Sequence, residues 1–179
     1  DYQIVQSWDD YNKAHALANE ALYHPKSSPY VKAQAIFLRA FYMYQIMDLF
    51  GQVPFKDEKG ILSVLSRPQA FDKIVADIEA AIPNLATAEA KPSQTIVATK
   101  EAAQAFLAKL YLNKGVYTAA NVSTTYTFAA ADMDKVITYC DLVINSNKFA
   151  LSDKYFDNFA IDNDVKCFCS VFISSKMLS

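Results

Sequence analysis

VKAQAIFLRAFYMYQIMDLF, residues 31–50, is the longest apolar run in the chain, and its reading decides the fold. The run is long enough to suggest a membrane span. Lys32, Arg39 and Asp48 fall inside it, however, and charges in mid-span argue against burial in lipid. Placed on a helical wheel, Lys32 and Arg39 share one line, while Gln34, Gln45 and Asp48 lie nearly opposite. Between these lines run two apolar faces. One carries Ala33, Phe37, Ala40, Tyr44 and Met47, the other Val31, Ala35, Leu38, Tyr42 and Leu49. A helix with two apolar faces implies neighbours on both sides, as for an inner helix of a stacked array. Gly51 is placed to end the helix in a left-handed conformation, and Pro54 blocks its resumption. Arg39 sits in mid-helix beside these faces. An unpaired buried charge is too costly, so its guanidinium is expected to be held by a carboxylate or by backbone carbonyls. On the same reading Leu38→Ala should cost ~2–5 kcal/mol through lost burial.

Outward from this run the pattern stays helical. A first helix is expected from Ser7 to Tyr23, with Ser7 as its cap and Tyr11, Ala14, Ala18, Ala21 and Leu22 on one face; His24-Pro25 ends it. A third helix over Pro68–Ile82 carries Phe71, Ile74, Val75 and Ile78 at helical spacing. Thr99 can cap a fourth, whose main face is Ala103, Phe106, Leu107, Leu110 and Tyr111, and Gly115 follows it. A fifth, from about Asp132 to Asn147, is expected to turn Met133, Val136, Ile137, Cys140, Val143 and Ile144 inward. The connections 51–67, 86–98 and 116–131 are long for a plain bundle. Helices one and two, three and four, and a fifth without its mate read as tetratricopeptide-like antiparallel pairs, an all-α fold; the strict repeat signature is not met. From residue 165 onward Val165, Cys167, Cys169, Val171 and Ile173 alternate with other residues, which could be a short terminal strand or a tail without a partner. The expected division is a helical domain over 1–164 and an atypical tail over 165–179.

Composition agrees with helices: 53% of the 179 residues are hydrophobic and only three are Gly. A formal net charge of −2 and the lack of a basic stripe exclude nucleic acid as an expected partner. Cys140, Cys167 and Cys169 show no zinc spacing, and Cys140 reads as a small buried apolar residue. No G-x-S-x-G, phosphate loop or H-E-x-x-H occurs, so the chain is not expected to be an enzyme or to hold a cofactor or metal. His15 and His24 are isolated, and His15 reads as a surface or boundary residue. Asp157, Asp162 and Asp164 lie among Asn residues, but the stretch lacks the Gly that a calcium loop uses for its sharp turn. Asn121-Val122-Ser123 fits a glycosylation sequon. Trp8, the single Trp, is the one candidate for stacking on a sugar; packing on the core is the preferred reading, since one aromatic makes no platform.

The segment from Ala33 to Phe55, with Phe37-Leu38-Arg39-Ala40 followed by aromatics and then Leu-Phe50-Gly51-x-x-Pro54, resembles the hallmark of the SusD/RagB family. Ser66-Arg67 with the following Ile-rich helix, the stretch Thr99–Gly115, and Val136–Phe156 resemble further family blocks in the family's order. Together the blocks cover most of residues 8–164. The resemblance implies the N-terminal part of a longer lipid-anchored protein on the surface of a bacterial outer membrane. In that family tetratricopeptide-like helices sit on a SusC-like TonB-dependent transporter, and the protein captures glycans, or peptides in some members. Phe37, Leu38, Arg39, Ala40, Phe50, Gly51 and Pro54 are carried over as structural signature residues. No ligand residue is carried over, because in the sugar binders the ligand aromatics come from regions outside the matched segment. This chain alone is therefore expected to bind glycans negligibly, and transporter docking to reside in its helices. After Asp164 the sequence departs from the family's usual continuation. The competing reading is a tetratricopeptide-like scaffold that binds protein segments.

Overall fold

The computed structural model describes residues 2–88, 97–119, 125–149 and 156. Among these residues the chain is mostly helical, with one small sheet. Helix α1 (Tyr2–Tyr23) and helix α2 (Pro29–Phe50) are joined by a short turn and lie against each other as an antiparallel pair. Strands β1 (Gln52–Lys56) and β2 (Leu62–Ser66) form an antiparallel hairpin in the register Gln52↔Ser66 to Lys56↔Leu62. Helix α3 (Arg67–Ala81) ends in a 3-10 turn over Ile82–Asn84; helix α4 (Lys100–Leu112), the single turn α5 (Lys114–Tyr117) and helix α6 (Ala130–Asn145) follow.

The helix ends are set by local chemistry. The Ser28 hydroxyl accepts the Val31 amide at 3.3 Å and Pro29 occupies the first turn, so α2 starts two residues before the apolar run. Gly51 closes α2 with φ of 79°, donating its N–H to the Met47 carbonyl at 2.9 Å. At Ser66 the backbone N–H and the hydroxyl both donate to Gln69 Oε1 at 2.9 Å, and Pro68 stands in the first turn of α3. Thr99 Oγ1 accepts the Ala102 amide at 3.2 Å and caps α4. Ser7 does not cap α1. It lies inside the helix, bonded back to the Gln3 carbonyl at 2.9 Å, because α1 begins at Tyr2.

The core forms where α2, α3 and α4 meet, with Ala40, Met43, Ile46, Met47, Phe71, Ile74, Ile78, Leu107 and Leu110 fully enclosed. Phe106 is the aromatic hub, edge-on to Tyr44 at 5.2 Å and to Phe37 at 6.1 Å. Helix α2 does have neighbours on two sides, α1 and α3. The first expected face, Ala33, Phe37, Ala40, Tyr44 and Met47, is buried throughout, but of the second only Ala35 is buried. The buried arc runs through Ala33, Phe37, Ala40, Met43 and Ile46 and includes Arg39, whereas Val31, Leu38 and Leu49 lie on the exposed edge. Leu38 is 42% exposed, so the loss expected for its truncation is too large.

Helix α6 is corrected in the same sense. It docks on α4, with Tyr139 stacked on Tyr111 at 6.0 Å and Lys135 Nζ donating to the Tyr111 hydroxyl at 3.0 Å. Ile137, Cys140 and Ile144, expected inward, face outward. One packed side and one open apolar side are what a pair-forming helix shows when only one neighbour is beside it. The expected connection over 51–67 is the hairpin, not a loop. Gly115 follows α4, as expected, and lies within the single turn α5; a Cβ there would stand 2.3 Å from the Thr127 carbonyl oxygen, so the 125–129 segment can pass only over a glycine. The sequon, the Asp157–Asp164 stretch, Cys167, Cys169 and the alternating 165–179 tail lie outside the described residues.

Candidate functional site

On α1, Asn12, His15, Asn19 and Tyr23 recur at helical spacing and form a polar stripe. The stripe faces the hairpin, and between the two lies a cleft of about 560 Å³ walled on the far side by Pro54, Phe55 and the 56–60 turn. Asp57 shapes that turn: its Oδ1 accepts the amides of Lys59 at 2.9 Å and Ile61 at 2.8 Å.

Beneath the cleft is a buried ion pair. Arg39 donates from Nε to Asp77 Oδ2 and from Nη2 to Asp77 Oδ1, both at 2.8 Å, the two-pronged geometry a guanidinium favours. Lys73, one turn before Asp77 on α3, also binds Asp77 Oδ1. The remaining arm of Arg39, Nη1, donates to the Tyr23 hydroxyl at 2.9 Å and to Asn19 Oδ1 at 3.3 Å. Arg39 thus makes four hydrogen bonds to α1 and α3, and the pair joins three helices through their polar faces. Arg39 also stands 5.8 Å from the centroid of the Phe55 ring, and Lys73 Nζ 5.6 Å from it.

His15 completes the cleft floor. It is only 5% exposed, so the surface or boundary position expected from sequence is wrong: its ring lies 6.4 Å from Phe55, and Nε2 meets the Asn19 amide at 3.4 Å. Burial, reinforced by the nearby Arg39 guanidinium and only partly opposed by Asp77, lowers its pKa from 6.5 to about 4. The imidazole is therefore neutral at physiological pH and can accept as well as donate a hydrogen bond.

The signature residues fall into distinct roles. Phe37 and Ala40 are core, Leu38 is on the open edge, and Arg39 forms the ion pair. Phe50 takes Trp8 edge-on at 4.8 Å, and Pro54 lines the cleft. Gly51 approaches the Arg67 guanidinium so closely that a Cβ would lie 3.3 Å from Nη2. Trp8 packs on the end of α2 and does not line the cleft. The sequence reading missed Asn12, His15, Asn19, Tyr23, Phe55 and Asp77. The available signal was the polar stripe on α1, hidden because its members interleave with the apolar face.

Residues 1–112 match a SusD-like family described as starch-binding and associating with the outer membrane. The chain belongs to the SusD-like family. The SusD-like protein P2 of Formosa agariphila is 32% identical over 117 residues, 60% of this chain but 19% of that protein. Among solved structures, a SusD-like carbohydrate-binding protein from Bacteroides fragilis superposes with a TM-score of 0.68 at 19% identity, covering 87% of this chain and 30% of its own. A laminarin-binding SusD-like protein gives 0.64 at 18% identity, over 88% of this chain and 34% of its own. The surface glycan-binding protein A of Bacteroides uniformis gives 0.65 at 18% identity, over 92% and 36%. These structures share the fold, and this SusD-like chain spans about a third of their length. Among its described residues no helix is long and apolar enough to cross a membrane.

Proposed function

We propose that the chain is the N-terminal helical part of a cell-surface, lipid-anchored protein that captures carbohydrate at a bacterial outer membrane and passes it to a SusC-like TonB-dependent transporter. The observation that carries this reading is the family match over residues 1–112, on a fold shared with carbohydrate-binding proteins. The geometry supports binding rather than turnover. The perturbed imidazole of His15 sits under the cleft beside an amide and a paired guanidinium, and among the described residues its hydrogen bond goes to Asn19 and not to a nucleophile. Transporter docking is assigned to the helical layer, whose open apolar edges on α2 and α6 offer contact area that the described residues leave uncovered. The same edges support the second reading, a scaffold for protein segments. Calorimetry of the complete protein against a panel of glycans and peptides, with pull-down of a SusC-like transporter, separates the two. Glycan binding with transporter capture is expected; capture of peptides without any glycan affinity would overturn the proposal.

A further inference from the structure

We propose that the cleft between α1 and the β1–β2 hairpin is itself a carbohydrate subsite that seats one or two neutral sugar rings. This rests on the capture reading above and assigns it a place in this chain. The cleft volume of about 560 Å³ falls in the ~300–1,000 Å³ range of small-molecule sites.

A sugar ring presents an apolar C–H face and a rim of hydroxyls, each able to donate and accept. The cleft offers both kinds of surface. Pro54, Phe55 and Tyr23 supply apolar and aromatic wall. Its polar groups are divided between donors and acceptors. The Asn12 amide N–H₂ is committed to the Trp8 carbonyl at 2.8 Å, which leaves its oxygen as an acceptor. The Tyr23 hydroxyl accepts from Arg39 and so keeps its own proton to donate. Glu20 and Lys56 line the cleft from opposite walls, one an acceptor and one a donor. Beneath, Arg39 and Lys73 share the single carboxylate of Asp77, while the rim carries Glu20, Asp57 and Glu58 against Lys56 and Lys59, so the extra positive charge below and the extra negative charge on the rim offset each other and neither sign dominates. A neutral polyhydroxylated ligand fits that balance better than a phosphate or a polyamine.

The floor is also fixed before any ligand arrives. His15 and Asn19 are buried, and the Arg39–Asp77 pair holds Asn19 from below. Pre-set donors and acceptors lose little freedom on binding.

The test uses the complete protein in affinity electrophoresis through gels containing laminarin or starch. Glu20 and Lys56 are both exposed, so a Glu20→Ala/Lys56→Ala variant should keep the wild-type melting midpoint. Wild-type protein should be retarded in at least one gel, and the double variant should lose at least threefold of that retardation. Leu38→Ala, on the open edge of α2, should migrate as wild type. Retardation of the double variant equal to wild type would overturn the subsite and leave the capture reading standing, with the sugar held elsewhere. A wild-type protein retarded by neither polysaccharide would overturn both.

Discussion

Acidification should destabilise this protein through one buried imidazole. His15 carries a folded pKa of about 4 against 6.5 in the unfolded chain. Between those values the unfolded state binds a proton that the folded state refuses, so stability falls as pH drops through 6.5 and levels off below 4. A gap of about two and a half pH units corresponds to about 3 kcal/mol in full, of which roughly 2 kcal/mol is lost by pH 5. With a urea dependence of ~2 kcal/mol per molar, the unfolding midpoint should drop by about 1 M between pH 7.5 and pH 5 on account of this group. Carboxylates contribute to the same range, so the measurement is a difference: urea midpoints at both pH values for wild type and for His15→Gln. The variant should show a drop smaller by about 1 M, since its neutral side chain cannot take up the proton. Equal drops in the two proteins would refute the reasoning, because they would mean that His15 is protonated in the folded state without penalty.

Asp77→Ala should cost about 3–5 kcal/mol by stranding the Arg39 guanidinium, while adding Arg39→Met should recover much of that loss, both read from chemical unfolding; intact stability in Arg39→Met with lost glycan capture would instead make Arg39 a ligand residue. Phe37→Ala should cost about 3–5 kcal/mol and Leu38→Ala under about 1 kcal/mol, a contrast between neighbours that follows from 3% and 42% exposure; equal losses would contradict the placement of α2. Gly51→Ala should cost about 1–2 kcal/mol, because a side chain at φ of 79° is strained and its Cβ crowds Arg67; a thermal melt unchanged from wild type would count against the left-handed cap.

The helical architecture was legible because it is written locally. Thr99 is followed by an apolar stripe, Gly51 by Pro54, and the Phe71–Ile78 spacing admits only a helix. The β1–β2 hairpin was not legible. Its register depends on the Asp57 turn and on the ends of α2 and α3 that hold its strands, and its β2 face, with Leu62 and Val64 exposed, gives no inward–outward alternation to read.

The error on α2 and the missed cleft have one cause. The Arg39 guanidinium is held by a carboxylate, as the sequence led one to expect, but the helical wheel set Arg39 between two apolar faces and not within the buried arc, and it did not identify the partner. Arg39 is buried because Asp77, 38 positions away on α3, cancels its charge and satisfies its N–H groups. Once the guanidinium is inside, Asn19 and Tyr23 must turn toward it, His15 follows them, and α1 presents a polar stripe to the hairpin instead of to water. The pairing residue is invisible to a local pattern, whereas everything the pair organises is within a turn or two of it. A polar residue inside an apolar helix is therefore better treated as half of an ion pair than as a marker of the surface. Here the expected pairing of Arg39 is met, and only the identity of its partner, Asp77 on the next helix, was missing to lead to the floor of the cleft.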